Sequence, residues 1–198
     1  VEAGLTLADV FALRLYTGPG FRVINSVCRK GELENSFPVT CFCLEWAIIK
    51  LAKFCYKSTT VRGLMGNMPE RFQQMYLQGA KIKAGDAITD PAFLSTSSNL
   101  DVATTGQYKG NTLFLITGKS VRPGLLRSGA AVSWISQYPA EEEVLYPRNT
   151  ELWYAMPDKR DPKLNQKFGH LKSTRVYQFG ARAPFDQNYD CPFIGGLS

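Results

Sequence analysis

The spacing of apolar residues changes period near Tyr56, and this change limits the folds open to the chain more than any other feature. Before it, "LTLADVFALRLYT" sets Leu7, Val10, Phe11 and Leu15 near helical spacing and runs into the breaker "GPG". "FRVINSVCRKG" reads as a second helix closed by Gly31, and "TCFCLEWAIIKLAKFC" as a third, with Cys41, Leu44, Ile48 and Leu51 on one stripe. After it come short β-prone runs between turn residues: "STTVRGL", "AFLSTSS", "TLFLIT", "EEVLY", "ELWYAM" and "TRVYQF". One helical segment, "PERFQQMYLQGA", interrupts them, with Pro69 in its first turn and Gly79 at its end. Helices first and strands afterwards predict an α+β fold and disfavour a doubly wound sheet built from βαβ units.

A chain of 198 residues fits one domain, divided here into a helical part (1–55), a β-rich core (56–180) and a tail (181–198). The segment from Pro157 is rich in Pro, Lys, Asp and Asn and reads as partly irregular, with "CPFIGGLS" frayed at the end. No apolar run approaches the roughly 20 residues of a membrane span, so none is expected. The formal charge of +6 points to an anionic ligand or partner. No basic run of the kind that grips nucleic acid accompanies it, and the cluster "DKRDPK" mixes signs, so no nucleic-acid partner is expected. Val1 to Val10 lacks a basic leader segment, and the missing initial Met fits a trimmed or mature domain.

Five cysteines, at 28, 41, 43, 55 and 191, leave at least one thiol unpaired and read as small buried hydrophobes; a Cys28–Cys191 bridge stays open. One histidine, His170, and no ligand spacing argue against a metal site. The same lone histidine argues against a Ser/His/Asp or Cys/His catalytic set. "GKS" at Gly118 to Ser120 is no P-loop, because the glycine required five residues earlier is Leu113.

Chemistry concentrates instead in "QYPAEEEVLYP". Three adjacent carboxylates are ordinarily a solvated acidic turn. As a strand, however, the segment puts Glu141, Glu143 and Leu145 on one face and Glu142, Val144 and Tyr146 on the other. Carboxylates two residues apart stand about 6 to 7 Å from one another and can address adjacent atoms of one substrate, as paired acids do around an anomeric carbon. Two other segments support this reading. Arg62 lies inside an apolar strand before Gly63, a position that calls for an anionic partner. "FLSTSS" places Ser95 and Ser97 on one face of a strand with Thr96 on the other.

In the order Arg-Gly, Ser-Thr-Ser, Glu-x-Glu, the chain resembles the mono-ADP-ribosyltransferases of the cholera-toxin-like, arginine-serine-glutamate clade, from about Leu13 to Tyr154. The resemblance implies two packed, mainly antiparallel β-sheets around an NAD cleft, flanked by the N-terminal helices. It implies NAD as substrate, no metal, and a target protein carrying the acceptor side chain, arginine by the two-glutamate pattern. Residue by residue, Arg62 would hold NAD phosphate, Gly63 would lie against the nicotinamide amide, and Ser95 would orient the catalytic glutamate, with Thr96 and Ser97 supporting the cleft. Glu143 would stabilise the ribosyl cation, Glu141 would serve the acceptor, and Tyr138 would meet the target protein. Glu142 would be expendable.

Two positions depart from that pattern: Val61 stands where the family usually has an aromatic residue, and Tyr108 matches only loosely the aromatic that covers nicotinamide. An NAD glycohydrolase and a catalytically silent NAD- or protein-binding domain are the alternatives. The resemblance implies a secreted toxin or effector delivered into a host cell, or alternatively an extracellular surface enzyme. The odd cysteine count favours the former.

Overall fold

The computed structural model of the protein describes residues 3–31, 36–52, 54, 59–64, 87–104, 112–117, 129–155 and 175–182. The expected helix over "PERFQQMYLQGA", Tyr108, His170, Cys191 and the tail beyond 182 lie outside these residues.

Three helices come first, as the sequence predicts: α1 (Leu7–Leu15), α2 (Phe21–Lys30) and α3 (Pro38–Ala52). Thr6 and Asp9 form a reciprocal capping box that satisfies two backbone donors at the start of α1. The apolar face of α1 differs from expectation. Leu7, Phe11 and Leu15 are exposed, whereas Asp9, Ala12 and Leu13 are buried. An aspartate can occupy the inner face because Lys50 of α3 reaches its carboxylate at 2.7 Å. Burial opposes its ionisation, but that lysine and the capping bonds outweigh it and hold the carboxyl below its usual range.

"GPG" does not stop the chain as a breaker would. Tyr16–Gly20 forms a π-helical turn in which Gly18 leaves helical dihedrals (φ −100°, ψ −158°), and α2 follows directly. The result is an elbow between α1 and α2. Gly31 closes α2 in the left-handed region (φ 75°), as expected.

Among the described residues there are eight strands: β1 (Thr59–Leu64), β2 (Ala87–Asp90), β3 (Leu94–Ser97), β4 (Thr112–Thr117), β5 (Ala130–Ala131), β6 (Glu143–Tyr146), β7 (Thr150–Ala155) and β8 (Arg175–Arg182). A short helix, α4 (Leu100–Thr104), follows β3. The sequence reading missed β2, β5 and α4, which are only two to five residues long.

Hydrogen bonds join the strands in the order β2-β7-β8-β4-β1-β3-β6-β5, with only β4 and β8 parallel. The expected pair of sheets is thus one continuous array, bent where β1 meets β3 through the single pair Val61↔Ser97. On either side of that corner the two sections pack face to face. Leu94, Val144 and Tyr146 of the short section share a core with Phe114, Ile116, Leu152 and Phe179 of the long one. The opposite face of the short section carries Leu145, which packs with Leu13, Tyr16, Ile24, Leu44 and Ile48 of the helical part. Val61, in the position where the resemblance leads one to expect an aromatic side chain, is buried with Leu113, Leu115 and Ala103 of α4.

Arg148, in the β6–β7 turn, pins this layer to α3. Its Nε lies 2.7 Å from Glu45 Oε1, and its guanidinium stands 5.9 Å from the centre of the Phe93 ring. Arg148→Ala removes a charge-assisted hydrogen bond and a cation–π contact together, and is expected to cost roughly 1–3 kcal/mol in urea unfolding. An unchanged urea midpoint would show that the pin contributes nothing.

Cys28 and Cys41 are free buried thiols. Cys191, with which a bridge from Cys28 stayed open, lies outside the described residues. No helix among the described residues is long and apolar enough to cross a membrane.

Candidate active site

Antiparallel register places Ser97 opposite Glu143 and Ser95 opposite Leu145, so Ser95 and Glu143 are diagonal neighbours on one face. Their side chains meet: Ser95 Oγ donates to Glu143 Oε1 at 2.5 Å. Arg62 approaches from across the corner, and its guanidinium donates to the Ser95 carbonyl at 2.8 Å. Three motifs separated by up to 81 positions are therefore linked by consecutive contacts.

They line a cleft of about 840 Å³, between the short sheet section and the α1–α2 elbow. That volume is in the range of small-molecule and cofactor sites. Gly63, Tyr138 and Glu141 also line it. So do Tyr16, Arg22, Asn25 and Arg29, none of which the sequence reading singled out. The signal was available, since positions 22, 25 and 29 recur at helical spacing on α2 and set two cations and an amide on one face.

Glu143 is 6% exposed. Burial raises its carboxyl from 4.5 to about 7, with the neighbouring Glu141 adding to the rise and the Ser95 hydroxyl and Arg62 opposing it. Burial pulls the Arg62 pKa down, with the charge of Glu143 among the groups that work against this. Tyr16, fully enclosed beneath the cleft, donates to the Phe93 carbonyl and accepts from Asn25 Nδ2 at 2.9 Å.

The acidic run is not a strand throughout. Pro139–Glu141 is a 3₁₀ turn, Glu142 is left-handed (φ 46°, ψ 49°), and β6 begins only at Glu143. Glu141 therefore approaches the cleft from a loop, not from the strand face assigned to it by alternation. Proline at the start of the turn and the left-handed residue at its end break the two-residue period. Ser97 Oγ fixes this geometry by donating to the Glu141 carbonyl at 2.6 Å. The Thr96 hydroxyl is directed at the Val144 carbonyl, at 2.7 Å. Ser97 and Thr96 thus brace the walls through protein contacts.

Glu142 is exposed, and its carboxylate accepts from Ser98 Oγ at 2.8 Å. Its left-handed backbone tolerates asparagine and penalises β-branched residues. Glu142→Asn is expected to hold the melting temperature within a few degrees, whereas Glu142→Val should cost roughly 1–2 kcal/mol. Equal melting temperatures for the two variants would contradict the backbone assignment.

Among solved structures the chain is similar to the ADP-ribosyltransferase HopU1 of Pseudomonas syringae, at 20% identity over 86% of this chain and 75% of that one, with a TM-score of 0.60. It is similar to Exoenzyme S of Pseudomonas aeruginosa, solved with human 14-3-3 protein beta and carba-NAD, at 24% identity over 89% and 74%, TM-score 0.61. The chain has the ADP-ribosyltransferase fold. Vis of Vibrio splendidus, an ADP-ribosyltransferase solved with agmatine, shares it at 18% identity over 93% and 79%, TM-score 0.61.

A curated relative from Mycobacterium avium (strain 104), provisionally named NAD(+)–arginine ADP-ribosyltransferase Mav, is 34% identical over 155 residues, or 78% of this chain. The chain spans 16% of that relative's length. No family model matches. Within this fold the cleft is lined by residues of all three sequence motifs together with the α1–α2 elbow and α2, and the loop before β6 forms its lip.

Proposed function

We propose that the protein transfers ADP-ribose from NAD to the guanidinium of an arginine in a target protein, releasing nicotinamide. The observation that carries this reading is the chain of contacts from Arg62 to Ser95 to Glu143 inside one cleft, with Glu141 at its lip. The name of the Mycobacterium avium relative and the carba-NAD and agmatine in the neighbouring structures support it.

The chemistry follows from the groups present. Arg22, Arg29 and Arg62 supply positive charge for a diphosphate, and Arg29 is held for the task by a two-pronged ion pair with Asp90 at 2.9 and 3.1 Å. Asn25 Oδ1 is a buried acceptor without a partner among the described residues, suited to a hydroxyl or amide of the ligand. The Gly63 backbone serves the nicotinamide amide. As the C1′–nitrogen bond breaks, its electron pair leaves with nicotinamide and positive charge develops on the ribose. Ionised Glu143, oriented by Ser95, stabilises that charge in a site shielded from water. A guanidinium nitrogen then attacks C1′, and Glu141 takes the proton that the new bond displaces. Tyr138, 52% exposed beside Glu141, meets the protein that presents the arginine.

Among the described residues no cluster of three or more potential ligands could hold a metal, and no step needs one. Several neighbours are described as toxins or as type III effectors, which supports action inside a host cell after delivery. Incubation with labelled NAD and agmatine tests the activity: ADP-ribosyl-agmatine should form, and Glu143→Ala should abolish it. Nicotinamide release without labelled agmatine would make water the acceptor.

A further inference from the structure

The loop that carries Tyr138 and Glu141 is tied to the far end of the chain by contacts that the reaction itself does not require. Arg14, in the last turn of α1, donates through one guanidinium nitrogen to the carbonyls of Ile135 and Ser136, both at 2.8 Å. The loop returns the contact. Gln137 Nε2 donates at 3.0 Å to the Arg14 carbonyl, which also accepts from Thr17 Oγ1 at 3.4 Å. Ser136 Oγ accepts from the Tyr138 amide at 3.0 Å and continues the hold into the segment that bears the aromatic residue. The close approach needs Gly18 in the elbow: a Cβ there would overlap the side-chain amide of Gln137.

At the other end, Ser97 holds the Glu141 carbonyl and the Ser98 amide holds that of Glu142. The segment between Gln137 and Glu141 is therefore anchored on both sides. Its Ser97 anchor belongs to the strand that carries Ser95, while its Arg14–Gln137 anchor belongs to the wall of the elbow.

We propose that Arg14 and Gln137 are positioning residues that hold the acceptor loop and so determine how ADP-ribose partitions between a guanidinium and water. This rests on the transfer reaction proposed above. A guanidinium must be aligned by Glu141 and loses rate steeply if the loop is displaced by about 1 Å, whereas water needs no such alignment. Neither residue lines the cleft, so NAD cleavage is expected to change little when they are replaced. Arg14 reaches its two carbonyls across 121 and 122 positions of sequence, which explains why no local pattern reveals it.

The test compares the parent with Arg14→Met, Gln137→Met and Arg14→Lys. Nicotinamide release without acceptor should stay within about twofold of the parent in every variant, while kcat/KM for agmatine falls at least about tenfold in both methionine variants. Lysine, which still offers donors to the carbonyls, should recover part of the loss. Amide hydrogen exchange across residues 136–142 should accelerate in the methionine variants, whether or not the protein proves catalytic. An unchanged exchange rate overturns the proposed hold. Faster exchange with an unchanged agmatine-to-water ratio, or with both rates falling together, overturns its role in partition. A parent that forms no ADP-ribosyl-agmatine while its loop exchange responds as expected would defeat the transfer reading and with it the partition, leaving only a structural tie.

Discussion

Glu143→Gln is expected to lower NAD cleavage at least about a hundredfold and, at the same time, to make the empty protein more stable at alkaline pH. The first effect is the usual scale of loss when one preorganised electrostatic group is removed from a developing charge. The second follows from burial. With its carboxyl raised from 4.5 to about 7, Glu143 contributes stability that is complete below pH 4.5 and disappears as pH rises through 7. The separation of those values corresponds to roughly 3 kcal/mol, the cost of keeping the ionised carboxylate in a dry pocket. Thermal melts of parent and variant should therefore nearly coincide at pH 4.5 and diverge by pH 8, with glutamine the more stable. In the parent, kcat/KM for NAD should climb with an apparent pKa near 7, because only the anion can stabilise the ribosyl cation. A flat rate profile between pH 5 and 9, with no divergence of the melts, would remove Glu143 from the role.

Glu141→Gln should separate the two half-reactions. Transfer to agmatine is expected to fall about 10²- to 10⁴-fold, the range general base catalysis contributes, while nicotinamide release without acceptor changes by only a few-fold. The substitution also removes a charge that raises the Glu143 carboxyl. The rising limb of the NAD pH profile should consequently move to lower pH in this variant. That displacement distinguishes a carboxylate coupled to the Glu143 site from one that serves only the loop. Equal loss of transfer and hydrolysis would contradict the division of labour.

Local sequence was a good guide where a residue's neighbours are its neighbours in the chain. The three helices, the left-handed close at Gly31 and most strands follow from spacing and turn chemistry that act over a few residues. Arg62, Ser95 and Glu143 were singled out by residue type and by the order of their motifs, since each alone has an ordinary structural explanation. Reading stopped where long-range contacts override the local period. The apolar spacing of α1 groups Leu7, Val10, Phe11 and Leu15, yet of these only Val10 packs against the core, and Asp9 is buried because a lysine 41 positions away neutralises it. Alternation put Glu141 on the strand face beside Glu143, yet Pro139, the left-handed Glu142 and the Ser97 hydroxyl make it part of a turn.

The order of motifs, their residue types and the change from helical to strand period determined the class of fold and the chemistry available to it. Tertiary structure alone decided how those groups are arranged. The corner at Val61↔Ser97 brings Arg62 to Ser95, α2 adds Arg22, Asn25 and Arg29 to the cleft, and Arg14 fixes the loop that presents Glu141. The reason is physical: residue type and periodicity are properties of a short stretch of chain. The burial that raises Glu143 and the bonds that hold its partners belong to surfaces created only when distant stretches pack together.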